Sequence, residues 1–330
     1  MSEDKITLKD IIGKLVLLVG IIIFVQIFSH YFGESNTLIG VMVITGILMF
    51  SSMSTNLAFK DAILGIVGTF ASMGIISFFI KYHPILGLPI NFVLVFFITY
   101  VFSIHMEKKL YLPFLLCYIL MQGSPVTEAE LPTRIASLFI GGILIALIYY
   151  LTHRSDEKND RRKIRDMFKN VDKDTLQVNF AFRMALGITI AMFVGTIFDF
   201  TKGMWITSTV FSLTQPEYNE TKKRIGERIF GTVVGAIIFL VLFNFVLPKS
   251  LDSLALLVIG FIYTFIKPYK FQIIFVTING LAAAMILFDA SVSIPMRIFF
   301  VLVGIVIAVL VNKPIYDIFR KRNPEDIKLN

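Results

Sequence analysis

An all-α integral membrane protein, with about twelve transmembrane helices arranged as two parallel six-helix repeats and both termini cytoplasmic, is the fold class the sequence predicts. Three observations lead there: apolar runs of bilayer length recur along the whole chain, Lys and Arg segregate to alternate loops, and the chain matches itself at a fixed offset.

The first is a matter of composition. The 330 residues have a mean hydropathy of +0.79 and are 56% apolar. A soluble domain of that composition lacks the polar cover its surface needs. Crossing the hydrocarbon takes about 20 mostly apolar residues in a helix. Such runs fall at 11–31, 37–53, 61–80, 86–104, 109–122 and 133–152, then at 178–200, 203–215, 225–246, 251–267, 271–288 and 296–312. The runs lack the alternation of a β-barrel strand, and backbone groups in lipid must be satisfied internally, so helices are expected.

Charge fixes orientation. With both termini inside, cytoplasmic segments carry 25 of the 31 Lys and Arg, outer segments carry five (Lys81, Arg134, Lys202, Lys249 and Arg297), and Arg183 lies within a span. Dropping one span would make the sides swap partway along, so the count and the orientation support each other. The net charge of +8 is explained by this topology, and no nucleic-acid partner is expected. Met1 to Asp10 mix both charge signs, and no small-residue cleavage site follows, so no cleavable signal is expected. The chain divides into a first membrane repeat at 1–152, a charged cytoplasmic linker at 153–177, and a second repeat at 178–330 that ends in a short basic tail.

The repeat itself appears at an offset of 163. Asn56 then aligns with Asn219, Lys60 with Lys223, Gly68-Thr69 with Gly231-Thr232, Tyr100 with Tyr263, Pro132-x-Arg134-Ile135 with Pro295-x-Arg297-Ile298, and Gly141 with Gly304. Identity over this ungapped window is 15 of 86 positions, so the evidence lies in landmarks matched at both ends. Two halves entering the membrane in the same sense imply a pseudo-two-fold axis along the membrane normal.

Chemistry is sparse. Cys117 is the single cysteine and the four histidines are scattered, so no disulfide framework, metal site or cofactor is expected. No Walker-type phosphate loop and no cluster of His, Asp or Cys at one membrane face occurs, which argues against nucleotide hydrolysis and against a lipid-modifying enzyme. Gly231 and Gly235 form a GxxxG step for close helix packing, with Gly68 as the first-half counterpart of Gly231. Arg228, four residues before Thr232, can snorkel to the interface or face the bundle and hold an anion. From Gly203 to Gln215-Pro216 is too short for a full straight span, and its counterpart at 37–53 carries Gly40 and Gly46 as candidate interruptions. Short or interrupted segments at matching places point to a transport site. Trp205, the single tryptophan, is either an interfacial anchor or an aromatic wall for a planar ligand. Lys14 and Arg183 fall at nearly equivalent places in spans one and seven. Asp61 and Glu227 are the carboxylates placed to couple transport to protons, or else acids favourably placed at helix N-termini.

These residues also carry a resemblance. Phe182-Arg183-Met-Ala185-Leu-Gly187, the helix start at Trp205, the Gln215-Pro216 end, a basic loop, and Arg228-x-x-Gly231-Thr232-x-x-Gly235 resemble the repeat of the fusaric acid resistance and aromatic acid exporter superfamily. The first half departs from that pattern: Gly65 stands opposite Arg228, and no tryptophan stands opposite Trp205. The resemblance implies a non-enzymatic secondary exporter of small aromatic carboxylic anions in the bacterial inner membrane. It also implies a pathway near Arg183, Trp205, Gln215, Arg228 and Thr232, with a periplasmic adaptor in some members; Lys14, towards the inner end of span one, joins that pathway on its charge and place alone. A passive anion channel and a non-transport membrane scaffold are the alternatives. Besides the bilayer and the anion, a second copy of the chain is a candidate partner.

Overall fold

The computed structural model describes residues 7–154, 161–169, 171–285 and 288–322. Parts of the charged linker (155–160 and 170) and both extreme termini therefore lie outside the described residues.

Within them the chain forms thirteen α-helices: α1 (Leu8–Phe32), α2 (Thr37–Ser52), α3 (Phe59–Tyr82), α4 (Pro84–Phe102), α5 (Leu112–Gln122), α6 (Leu131–His153), α7 (Ile164–Lys169), α8 (Leu176–Ile197), α9 (Met204–Leu213), α10 (Tyr218–Val241), α11 (Asp252–Tyr263), α12 (Tyr269–Ala284) and α13 (Ala290–Arg322). A helix falls in each of the twelve apolar runs, with the short α7 in the linker. Eight helical stretches among the described residues are long and apolar enough to cross a membrane, while α5, α9 and α12 are apolar but shorter.

Local chemistry sets the ends. Thr7 and Asp10 close a capping box at α1, and Thr175 accepts the amide of Val178 to cap α8. Prolines occupy the first turns of α4, α5 and α6, where a missing N–H costs nothing. Gly33, at φ 83°, ends α1 in a conformation that side chains disfavour. Helix α9 ends at Leu213, where Thr214 turns to extended backbone two residues before Pro216.

Two boundaries differ from the sequence reading. Helix α10 begins at Tyr218, so the basic stretch before Arg228 is helical rather than a loop. Helix α13 begins at Ala290 and runs unbroken through Pro295 and Pro314. Glycine does not interrupt α2 either. Gly40 lies against Phe28 and Gly46 against Ile145, so both glycines serve close approach and the helix continues across them.

In the first half α6 lies across α2 and α3, and in the second half α13 lies across α9 and α10. The halves join chiefly where α4 packs along α8, and α1 meets α11 in the corresponding place. One contact recurs at the 163-residue offset and a second within one residue of it. Gly141 sits on Val43, and Gly304 sits against the Ile206 carbonyl and Thr209. At the junction, Lys14 Nζ donates to the Thr264 carbonyl at the end of α11 (2.8 Å), and Gln177 Nε2 donates to the Tyr100 carbonyl near the end of α4 (2.7 Å).

The interiors of the halves differ in kind. The first is filled by aromatic rings: Phe50, Phe70, Phe102, Phe114 and Tyr149, with Phe102 and Phe114 stacked at 4.3 Å. The second is partly polar.

Candidate anion site

That polar interior is built by four helices. Spacings of four residues put Trp205 and Thr209 on one face of α9, Arg228 and Thr232 on one face of α10, and Ser293 and Arg297 on one face of α13. The Arg297 guanidinium lies over the Trp205 ring at 4.7 Å. Arg228 Nη2 donates to Thr209 Oγ1 at 3.0 Å. On α12, Gly280 lies beside Arg297: a Cβ there would meet the guanidinium carbon at an ordinary contact distance of 3.5 Å. Thr277, one turn before Gly280, packs against Gly235 of α10.

Both arginines are 2% exposed, and among the described residues no carboxylate pairs with either. They are close enough for each to feel the other's charge. Burying a guanidinium without a counter-charge costs free energy, up to about 2.5–3.5 kcal/mol at the centre of a bilayer on insertion scales. The Nε atoms of Arg228 and Arg297 and the hydroxyls of Thr232, Thr277 and Ser293 are buried without hydrogen-bond partners. Thr45, Thr99, Thr196 and Thr214 satisfy themselves on the carbonyl four residues back, whereas Thr69, Ser103 and Thr189, outside the cluster, are also buried without partners. Unmade buried donors each cost about 1–3 kcal/mol, so five in one place call for an acceptor-rich occupant. Two cations, free N–H and O–H groups and an indole suit an organic anion with a planar apolar body.

The first half lacks this arrangement at the corresponding positions. Gly65 stands for Arg228, and Phe114 stands for Thr277. Arg134, the counterpart of Arg297, has its Nε satisfied by Asn36 Oδ1 at 2.6 Å and donates through Nη2 to the carbonyls of Ser35 and Ser124.

Of the residues singled out by sequence, the cluster brings together Arg228, Trp205 and Thr232. Arg183 lies elsewhere: it donates to Asn179 Oδ1, Asn312 Oδ1 and the carbonyls of Gln215 and Pro216, so it fastens the end of α9 with its hydrogen bonds filled. Gln215 belongs to the same fastening, its own side chain donating to Ser212 and Thr214 carbonyls. Lys14 is at the junction of the halves, over the Phe265 ring. Asp61 accepts the amide of Ile164 at 2.8 Å and so anchors α7 to α3. Glu227 is half-buried on α10 with no hydrogen bond or ion pair to the described residues. Gly231 and Gly235 lie where α10 crosses α12, with backbone of Lys270 and Ile274 against them, whereas Gly68 faces open space.

Sequence reasoning missed Arg297, Thr209, Thr277, Gly280 and Ser293. It counted Arg297 among outer-face charges because the last apolar run was placed at 296–312, with Arg297 at its outer edge. The helix begins at Ala290, which carries Arg297 two turns into the bundle. The matched Arg134 and Arg297, together with the four-residue step from Ser293, were the signal available.

Fold and site together define a multi-pass helical membrane protein with a buried cationic site. Residues 190–311, a little over a third of the chain, match a family model described as fusaric acid resistance protein-like. That stretch contains every residue of the cluster and excludes Arg183 and Lys14. An uncharacterized protein of Haemophilus influenzae is 29% identical over 134 residues, covering 38% of this chain and 19% of that one. An uncharacterized protein, ORF2, of Neisseria gonorrhoeae is 30% identical over 128 residues, 38% of this chain and 30% of that one. The Escherichia coli protein YhfK, also uncharacterized, is 38% identical over 68 residues, 21% of this chain and 10% of that one. The chain thus spans less than a third of the length of each of these relatives. No solved structure gives a significant match.

Proposed function

We propose that the chain is a secondary transporter of the bacterial cytoplasmic membrane that exports small organic anions, aromatic carboxylates foremost. The observation that carries this reading is the pair of buried guanidiniums, Arg228 and Arg297, with no carboxylate partner and with unfilled donors around them. A carboxylate would bridge them, accept from Nε and the hydroxyls, and lay its ring near Trp205. The match of residues 190–311 to the fusaric acid resistance protein-like family and the bacterial sources of the relatives support it further.

The two halves act as parallel repeats with unequal duties in this reading, the aromatic first half as scaffold and the second as carrier. The contacts that recur at, or within one residue of, the 163-residue offset support a duplication. Glu227 and Asp61 are the carboxylates proposed to couple export to protons, Glu227 foremost because Asp61 is engaged with α7.

The test is uptake and counterflow of a panel of organic acids in proteoliposomes, with and without a pH gradient. Saturable movement of an aromatic acid that follows the proton gradient is expected. Movement that follows only the anion's own electrochemical gradient would instead make the protein a channel, and absence of any anion movement by folded protein would refute the proposal.

A further inference from the structure

At the end of the bundle opposite the linker, the two halves enclose a cavity of about 530 Å³, within the usual range for small-molecule sites. Its wall is made by the C-terminal ends of α3, α5 and α8 and the N-terminal ends of α6 and α9. The side chains divide by character. Lys81, Lys202 and Arg134 supply three cations against one acid, Asp199. Met121, Met192 and Met204, with Phe78 and Phe200, supply a soft apolar wall that can shape itself to a ring.

The cations are available. Lys202 is half-buried and makes no hydrogen bond or ion pair with the described residues. Lys81 is exposed at the rim, with one long contact to the Val126 carbonyl at 3.4 Å. Arg134 is tied through Nε and Nη2, and its Nη1 takes no part in those bonds.

Helix α9 separates this cavity from the buried arginine pair. Trp205 and Thr209 face the arginines, while Thr207, which lines the cavity, is two residues from each and so about 200° round the helix. We propose that the cavity is a second binding site for an amphipathic organic anion. Its carboxylate is held by Lys202, Lys81 and Arg134, and its ring by the methionine and phenylalanine wall. This inference rests on the transport reading for the direction of travel: the cavity is the station an anion occupies after passing α9. Its binding chemistry stands independently.

The experiment is equilibrium binding of radiolabelled benzoate to the full chain in lipid nanodiscs, beside the variants Lys81→Gln with Lys202→Gln, Thr196→Trp, and Arg228→Gln. Lys81 is exposed and Lys202 half-buried without a hydrogen bond to the described residues, so the variant should keep the fold. It should weaken one benzoate component about tenfold, as the loss of two partly exposed charge contacts allows. Thr196→Trp, which fills the cavity with the lysines intact, should remove the same component. Arg228→Gln should leave that component in place and remove a different one. Unchanged binding in both cavity variants, or no benzoate binding by the wild-type chain, overturns the inference. Loss in the cavity variants with none in Arg228→Gln upholds the cavity and sinks the buried-arginine reading instead.

Discussion

Replacing Arg297 by Gln separates binding from stability. The guanidinium is buried over Trp205, its Nε has no partner, and Arg228 repels it. Removing a charge-assisted contact to a bound carboxylate costs about 1.5–3 kcal/mol, which is roughly 10- to 150-fold in Kd. Stability responds differently. The cation–π contact, worth about 2 kcal/mol when desolvated, is lost. Against that, an unpaired buried charge costing about 2.5–3.5 kcal/mol is removed. These terms nearly cancel, so the melting temperature should stay within roughly 4 °C of wild type. Arg183→Gln is the control. It strips hydrogen bonds to two asparagines and two carbonyls, and should destabilise by about 3 kcal/mol or more. Benzoate binding by isothermal titration and thermal unfolding in nanodiscs read the two quantities. An Arg297→Gln protein that binds normally but melts much lower would show that Arg297 is structural, and the anion-site argument would fail.

Trp205→Leu should reduce transport of aromatic acids more than of aliphatic acids of equal charge, and equal loss of both would remove the indole from recognition. Gly235→Val places a Cβ 2.7 Å from the Ile274 carbonyl and should destabilise by about 1–3 kcal/mol, read as a lower melting temperature. Glu227→Gln should abolish the response of export to a pH gradient while leaving counterflow; an intact response would clear Glu227 of coupling. Burial holds the Lys202 ammonium below the usual lysine range, so its charge is lost earlier on the alkaline side than an exposed lysine's. Benzoate binding in the cavity should therefore fall as pH rises through that lowered value, and Lys202→Gln should remove this dependence.

Helix positions were legible in the sequence because lipid imposes one length rule on every span. The shortness of α9 was legible too, since Gly203 and Pro216 bracket it. The charged half of the site was only partly so. Arg228 and Thr232 declare themselves by spacing within one helix, but Arg297 needs three-dimensional knowledge. An arginine after Pro295 looks interfacial until the chain is seen to be helical from Ala290 and the side chain to turn toward Trp205. Arg183 shows the converse. A buried arginine in a small-residue helix suggests a ligand, and only the carbonyls at the end of α9 reveal that the protein itself supplies its partners. The inter-half cavity belongs to four separated stretches of chain and has no linear signature.

Helix α13 is a single rod of 33 residues, close to 50 Å long, and the hydrocarbon takes only about 30 Å of it. Arg297 sits near one end and the basic triplet Arg320-Lys321-Arg322 at the other, roughly 35 Å apart along the axis. Pro314 lies between those ends, and a proline inside a helix removes one ladder hydrogen bond and lowers the resistance to bending there. The one element thus joins the buried Arg297 to a basic end suited to anionic headgroups, with its softest point close to that end.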